Sequence, residues 1–118
     1  MKKVLVADDN ASCRELLRAV LEHLGHAVWE AGDGNQAVRC AREIAPDVIF
    51  LDLRMPGLDG FGVLQALRGD GGFTCVIVAL TASAMSGDRE RALSAGFTRY
   101  LTKPVSLKEL RSEMAAHA

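Results

Sequence analysis

Val48-Ile49-Phe50-Leu51-Asp52 sets four apolar residues in a row ahead of a single aspartate. A strand covered on both faces reads as such a continuous run, whereas a half-buried strand alternates. Cover on both faces implies helices above and below a parallel sheet. Moving outward, Cys75 to Leu80 repeats the pattern and stops at Thr81, and Val4 to Ala7 is a shorter run that stops at Asp8. Ala27 to Trp29 is a short strand candidate, and Thr98 to Leu101 is another, followed by Thr102-Lys103-Pro104.

Helical spacing fills the intervals. Cys13, Leu16, Leu17, Val20, Leu21 and Leu24 recur at three and four residues, with Asn10 placed to cap the start and Gly25 the end. After Asp33-Gly34, Ala37, Val38, Ala41 and Ile44 form a second stripe, closed by Pro46. The loop Met55-Pro56-Gly57-Leu58-Asp59-Gly60 ends on a capping aspartate, ahead of Phe61, Leu64 and Leu67. Gly69-Asp70-Gly71-Gly72 reads as a loop, and a fourth helix, around Met85 to Ala95, has a poor apolar face and stops at Gly96. Ser106 and Glu109 form a capping box, with Val105 and Leu110 as its hydrophobic staple. Five β units alternating with five α units imply an α/β doubly wound, five-stranded parallel sheet with helices on both faces. The strand order 2-1-3-4-5, the flavodoxin-like (βα)5 arrangement, is adopted from known folds of this class.

At 118 residues the chain suits one domain, spanning 1–118. Fourteen Lys and Arg against 15 Asp and Glu leave a net charge of −1, without the basic excess that nucleic acid or a membrane surface would favour. No stretch approaches the roughly 20 apolar residues of a membrane span. The start, Met1-Lys2-Lys3-Val4-Leu5-Val6-Ala7-Asp8-Asp9, turns acidic too early for a signal peptide, so a cytoplasmic location is expected. Cys13, Cys40 and Cys75 form no Cys-x-x-Cys pair, and His23, His26 and His117 add no ligand spacing, so buried inert thiols are expected.

Parallel strands bring their C-terminal ends to one edge, where ligands of open α/β sheets bind near the reversal of strand order. Asp8-Asp9, Asp52, Thr81 and Lys103 fall at four of those ends. With strands one and three adjacent, the three aspartates converge and Thr81 and Lys103 flank them. Two carboxylates about 4 Å apart repel by on the order of 4 kcal/mol at an effective dielectric of about 20. A proton, a lysine or a divalent cation must offset that. Oxygen ligands without His or Cys point to Mg²⁺, with Mn²⁺ able to substitute.

Asp8-Asp9-Asn10, Asp52 with Met55-Pro56-Gly57-Leu58-Asp59-Gly60, Leu80-Thr81-Ala82 and Lys103-Pro104 together resemble the receiver domain of two-component response regulators, including the chemotaxis regulators. The likeness covers about residues 2 to 115. It implies that Asp52 accepts a phosphoryl group from a histidine kinase or a histidine phosphotransfer protein. It further implies Mg²⁺ on Asp9 and Asp52, on Asp8 mainly through water, and on the backbone carbonyl of Arg54. Thr81 and Lys103 would bind phosphoryl oxygens. Tyr100 would be the aromatic switch that follows Thr81, and the Lys103-Pro104 peptide would be cis. Arg54 and Ser83 would sit at the mouth and modulate the site, and the surface of helix four, strand five and helix five would meet partners.

Three rival readings fit less well. A phosphatase of the haloacid dehalogenase type needs an acid two residues after its nucleophile, and Arg54 stands there. The chain is therefore not expected to be an enzyme beyond promoting its own phosphorylation and dephosphorylation. A flavodoxin-like phosphate cradle would be repelled by Asp8-Asp9. A degenerate receiver kept for contacts typically lacks a key position, and none is missing here. No output domain follows the last helix, so direct nucleic-acid binding is not expected, nor is a membrane partner. A downstream protein of unknown identity, and a monomer or weak phosphorylation-dependent dimer, complete the expectation. Leu80-Thr81-Ala82-Ser83-Ala84 and Leu101-Thr102-Lys103-Pro104-Val105 lean slightly toward receivers attached to hybrid kinases.

Overall fold

The computed structural model describes residues 1–69, 75–82 and 86–116. Strands β1 (Lys3–Ala7), β2 (Ala27–Ala31), β3 (Val48–Asp52), β4 (Val76–Thr81) and β5 (Arg99–Thr102) alternate with helices α1 (Ala11–His23), α2 (Gly34–Ile44), α3 (Gly60–Gly69), α4 (Ser86–Ala95) and α5 (Leu107–Ala116). Every pairing is parallel, and the sheet order is β2-β1-β3-β4-β5, as expected.

The continuous apolar runs have a direct structural cause. Leu5, Ala7, Ile49, Leu51, Ile77 and Ala79 pack on one face, against α2 and α3 residues such as Val38 and Leu64. Val4, Val6, Phe50, Val78 and Leu80 face the other way, onto Leu17 and Leu21 of α1 and Leu110 and Met114 of α5. Both faces of the central strands are dry, so neither set of alternate residues can be polar. Full burial of a side chain such as Phe50 or Leu51 contributes about 1.5–3 kcal/mol.

Capping signals are realised. Asn10 Oδ1 accepts from Cys13 N–H (3.0 Å), and Asp59 Oδ1 accepts from Gly62 N–H (2.9 Å). Ser106 and Glu109 bond reciprocally at 3.1 Å, and Gly25 ends α1 with φ +93°. Several details depart from the sequence reading. Leu16, placed on the apolar stripe of α1, is 58% exposed. It neighbours Leu17 about 100° around the helix, and only one of the two can face the sheet. Strand β2 runs on to Ala31, because Glu30 and Ala31 keep pairing with Val6 and Ala7. The three thiols are half-buried rather than fully enclosed. Gly71 and Gly72 of the glycine loop, Ser83, Met85 and His117 lie outside the described residues.

Candidate functional site

Main-chain bonds beyond the strand ends assemble the site. Asp8 N–H donates to the Ala31 carbonyl (3.1 Å), Leu53 N–H to Leu80 (3.0 Å) and Lys103 N–H to Thr81 (2.7 Å). These bonds hold the ends of β1, β3, β4 and β5 at one edge. Behind Asp52 the loop to α3 turns back so tightly that a Cβ on Gly60 would lie 2.5 Å from the Asp52 carbonyl oxygen. The Lys103-Pro104 peptide is cis.

The expected carboxylates do converge. Oxygens of Asp8, Asp9 and Asp52 lie within 4.8 Å of one another. Asp8 is fully buried, Asp52 is 5% exposed and Thr81 2%, while Asp9 opens to solvent. Lys103 Nζ reaches between them, 2.6 Å from Asp8 Oδ2 and 3.2 Å from Asp52 Oδ2. Asp8 Oδ1 accepts from Asn10 N–H (2.9 Å), and Asp52 Oδ1 accepts from Arg54 N–H (3.0 Å).

The two buried carboxyls are driven apart in acidity. Burial pushes Asp52 up to about 6, against the opposing pull of the Arg54 N–H and the Lys103 ammonium. Burial works upward on Asp8 too, but Lys103 and the Asn10 N–H outweigh it and hold that carboxyl below the usual range. Lys103 itself is raised, the two carboxylates overcoming the cost of its burial.

Among the described residues one ammonium, that of Lys103, faces three carboxyls, 2.6 Å from Asp8 Oδ2 and 3.2 Å from Asp52 Oδ2. The surplus negative charge and the all-carboxylate donor set together fit a hard divalent cation. The nearby Cys13 thiol is no competing ligand. Burial and its hydrogen bond to Asp8 push it up to about 11, so it stays protonated.

Tyr100 stands on β5 beside the end of β4, pairing with Ala79 two residues before Thr81. Arg54 is exposed and lines a cleft of about 310 Å³ beside Thr81, together with Phe61, Asp88 and Arg91. The Arg91 guanidinium lies 4.4 Å above the Phe61 ring, which in turn meets Phe97 edge-on. Two residues near the centre escaped the sequence reading. Cys13 was read as part of an apolar stripe and as an inert thiol, and Arg14 was passed over, yet its Nη1 donates to the Asp8 carbonyl at 2.7 Å. An arginine in the first turn after an acidic pair is too common to signal this.

A fold of this order with acidic, threonine and lysine positions at one edge defines a class of doubly wound signalling domains. The response regulator receiver domain model matches residues 4–115, and the chain belongs to that family of two-component signalling proteins. It is 41% identical over 115 residues to the probable transcriptional regulator ycf27 of Guillardia theta, covering 98% of this chain and 44% of the relative. It is 40% identical to the DNA-binding response regulator MtrA of Mycobacterium tuberculosis, covering 98% of this chain and 50% of that protein. The chain thus spans about half the length of these curated relatives. Among solved structures, chemotaxis protein CheY4 of Vibrio cholerae superposes with a TM-score of 0.92 at 29% identity, covering 100% and 99% of the two chains. The receiver domain of the Pseudomonas aeruginosa sensor histidine kinase PA1611 matches with a TM-score of 0.88 at 38% identity, covering 98% and 95%. That receiver holds a magnesium ion in its active site cleft. Among the described residues, no helix is long and apolar enough to cross a membrane.

Proposed function

We propose that this chain is an active receiver that accepts a phosphoryl group on Asp52 from a phosphohistidine donor in a Mg²⁺-dependent reaction. The observation that carries the reading is the cluster of Asp8, Asp9 and Asp52 oxygens with Lys103 set between them. Asp8, Asp9, Asp52 and the Arg54 carbonyl would hold the cation. When bound, it would neutralise the carboxylates and the oxygens of the incoming phosphoryl group.

The chain's own groups supply the rest. The Arg54 N–H holds Asp52 Oδ1, which fixes the carboxylate plane. Attack by Asp52 forms an O–P bond as the P–N bond of the donor breaks, and the imidazole leaves with the electron pair and is reprotonated. Lys103 then exchanges its contact with Asp52 for a phosphoryl oxygen, and the Thr81 hydroxyl takes another. Movement of Thr81 is passed to Tyr100 on the neighbouring strand and so to the surface of α4, β5 and α5. A histidine kinase or phosphotransfer protein upstream, and a protein effector downstream, are the partners this implies. We read the chain as no enzyme toward other substrates, since Arg54 stands where a phosphatase of the aspartyl-nucleophile type needs its acid.

Incubation with acetyl phosphate, with Mg²⁺ or with chelator, followed by intact-mass measurement, tests the reading. The expected result is a Mg²⁺-dependent gain of one phosphoryl group that Asp52→Ala abolishes. A gain that survives Asp52→Ala, or no gain from either acetyl phosphate or a phosphohistidine protein, would overturn it. In the same assay Arg54→Ala should change the decay of the phosphorylated form; an unchanged decay removes Arg54 as a modulator.

A further inference from the structure

Asp9 is the exposed member of the carboxylate cluster, and among the described residues no hydrogen bond or ion pair holds its side chain. The backbone, by placing the Cβ of Asp9, therefore sets where the carboxylate can reach. The peptide joining Asp8 to Asp9 is planar, so the Asp8 carbonyl and the Asp9 nitrogen turn together. That carbonyl accepts from Arg14 Nη1 at 2.7 Å. The guanidinium is itself gripped, since Arg14 Nε donates to Glu30 Oε1 at 3.2 Å and the other carboxylate oxygen of Glu30 takes Arg18 Nη1 at 3.0 Å. One residue further along β2, the Ala31 carbonyl accepts the Asp8 N–H at 3.1 Å. Strand β2 thus holds Asp8 by both of its backbone groups, once directly and once through Arg14.

We propose that Arg14, oriented by Glu30, is a positioning residue for the divalent cation: it locks the Asp8–Asp9 peptide so that the Asp9 carboxylate meets the ion alongside Asp52. The inference rests on the receiver reading above and adds residues that touch neither cation nor phosphoryl group. The Arg14 and Glu30 side chains are 21% and 24% exposed, so this is a sheltered pair and not a solvated surface contact. Charge and position make opposite demands here. By its charge alone, a guanidinium this close repels a cation, and removing it should tighten binding. As a clamp, it favours binding, and removing it should loosen it. Glutamate 30 separates the two effects less well, because its loss weakens binding on either account.

Mg²⁺ titration by calorimetry on the wild type, Arg14→Gln, Arg14→Lys and Arg14→Gln/Glu30→Gln decides the matter, with each protein also melted in chelator. Arg14→Gln should bind Mg²⁺ about tenfold more weakly, the scale on which outer-shell partners act on a metal site. The double variant should lose less beyond Arg14→Gln than the full effect of a second clamp, only the small charge effect of Glu30, since both break one path. Arg14→Lys keeps the charge and loses the planar fork that bridges Glu30 to the Asp8 carbonyl, so it too should bind more weakly. Its melt in chelator should stay near wild type. Binding by Arg14→Gln as tight as wild type or tighter, or by Arg14→Lys equal to wild type, would overturn the proposal. Should Arg14→Gln fail to fold, Arg14→Lys decides by the same criterion. A wild type that takes up no Mg²⁺ brings down the metal reading of the site and this inference with it, whereas normal uptake by every variant removes the inference alone.

Discussion

Asp52 is buried beside Asp8 and shares the single Lys103 ammonium, so its charged form is less stable folded than unfolded. Its pKa rises to about 6, against about 3.9 in an unfolded chain. Between about pH 4 and pH 6 the folded state binds more protons than the unfolded state. The sign follows: stability falls as pH rises through that window. In chelator, Asp52→Asn should therefore be more stable than wild type above pH 6, by on the order of 2 kcal/mol. The gap should close toward pH 4. Urea unfolding of both proteins at the two ends of the window measures it, and a gap that ignores pH would mean the burden lies elsewhere. Asp8, Asp52, Thr81 and Lys103 were legible because each stands at or just after the end of an apolar run. Arg14, Glu30 and Arg91 were not, since nothing local distinguishes them from solvated residues.

The elements were legible where the chain signals its own ends. Asn10, Asp59 and the Ser106–Glu109 pair all cap the helices they precede or open, because caps are contacts within three residues. Contacts between elements are another matter. A Cβ on Gly34, at the start of α2, would lie 1.9 Å from the carbonyl oxygen of Leu58 in the loop after β3. Nothing near Gly34 in the chain announces that approach. Alanine would favour the helix by about 1 kcal/mol. Overpacking against a backbone atom costs about 1–3 kcal/mol and should prevail. Gly34→Ala should thus lower stability in chemical denaturation, and an unchanged or stabilised variant would show that the loop yields. The same reasoning explains Leu16: period alone cannot tell which of two adjacent leucines meets the sheet.

For the whole molecule the question is whether chemistry at the sheet edge reaches the outer face of β5. Thr81 ends β4, whose partner strand β5 carries Tyr100 opposite Ala79. Helix α4 lies over this region, and among its described side chains one, Ala92, is fully buried. A helix so lightly anchored by apolar burial is drawn from the less stable end of a fold, where small shifts in population are cheap. Phosphorylation of Asp52 is expected to shift the NMR resonances of Tyr100, of Leu93 on α4 and of β5. The α1 and β2 resonances away from the site should hold still. Spectra in which the α4–β5–α5 face does not respond would confine the event to the site.

Architecture and edge chemistry were written in the chain because both arise from short-range pattern. Continuous apolar runs can survive only between two helical layers, and polar residues at the ends of parallel strands must share an edge. The strand order was adopted from known folds and then observed, and it alone makes Asp8 and Asp52 neighbours. Folding in three dimensions decided the rest: the Lys103 bridge, the split acidity of two aspartates, the grip of Arg14 on the Asp8 carbonyl and the Gly34–Leu58 approach. Each joins groups on different elements, and their energies depend on distances and burial that no local pattern encodes.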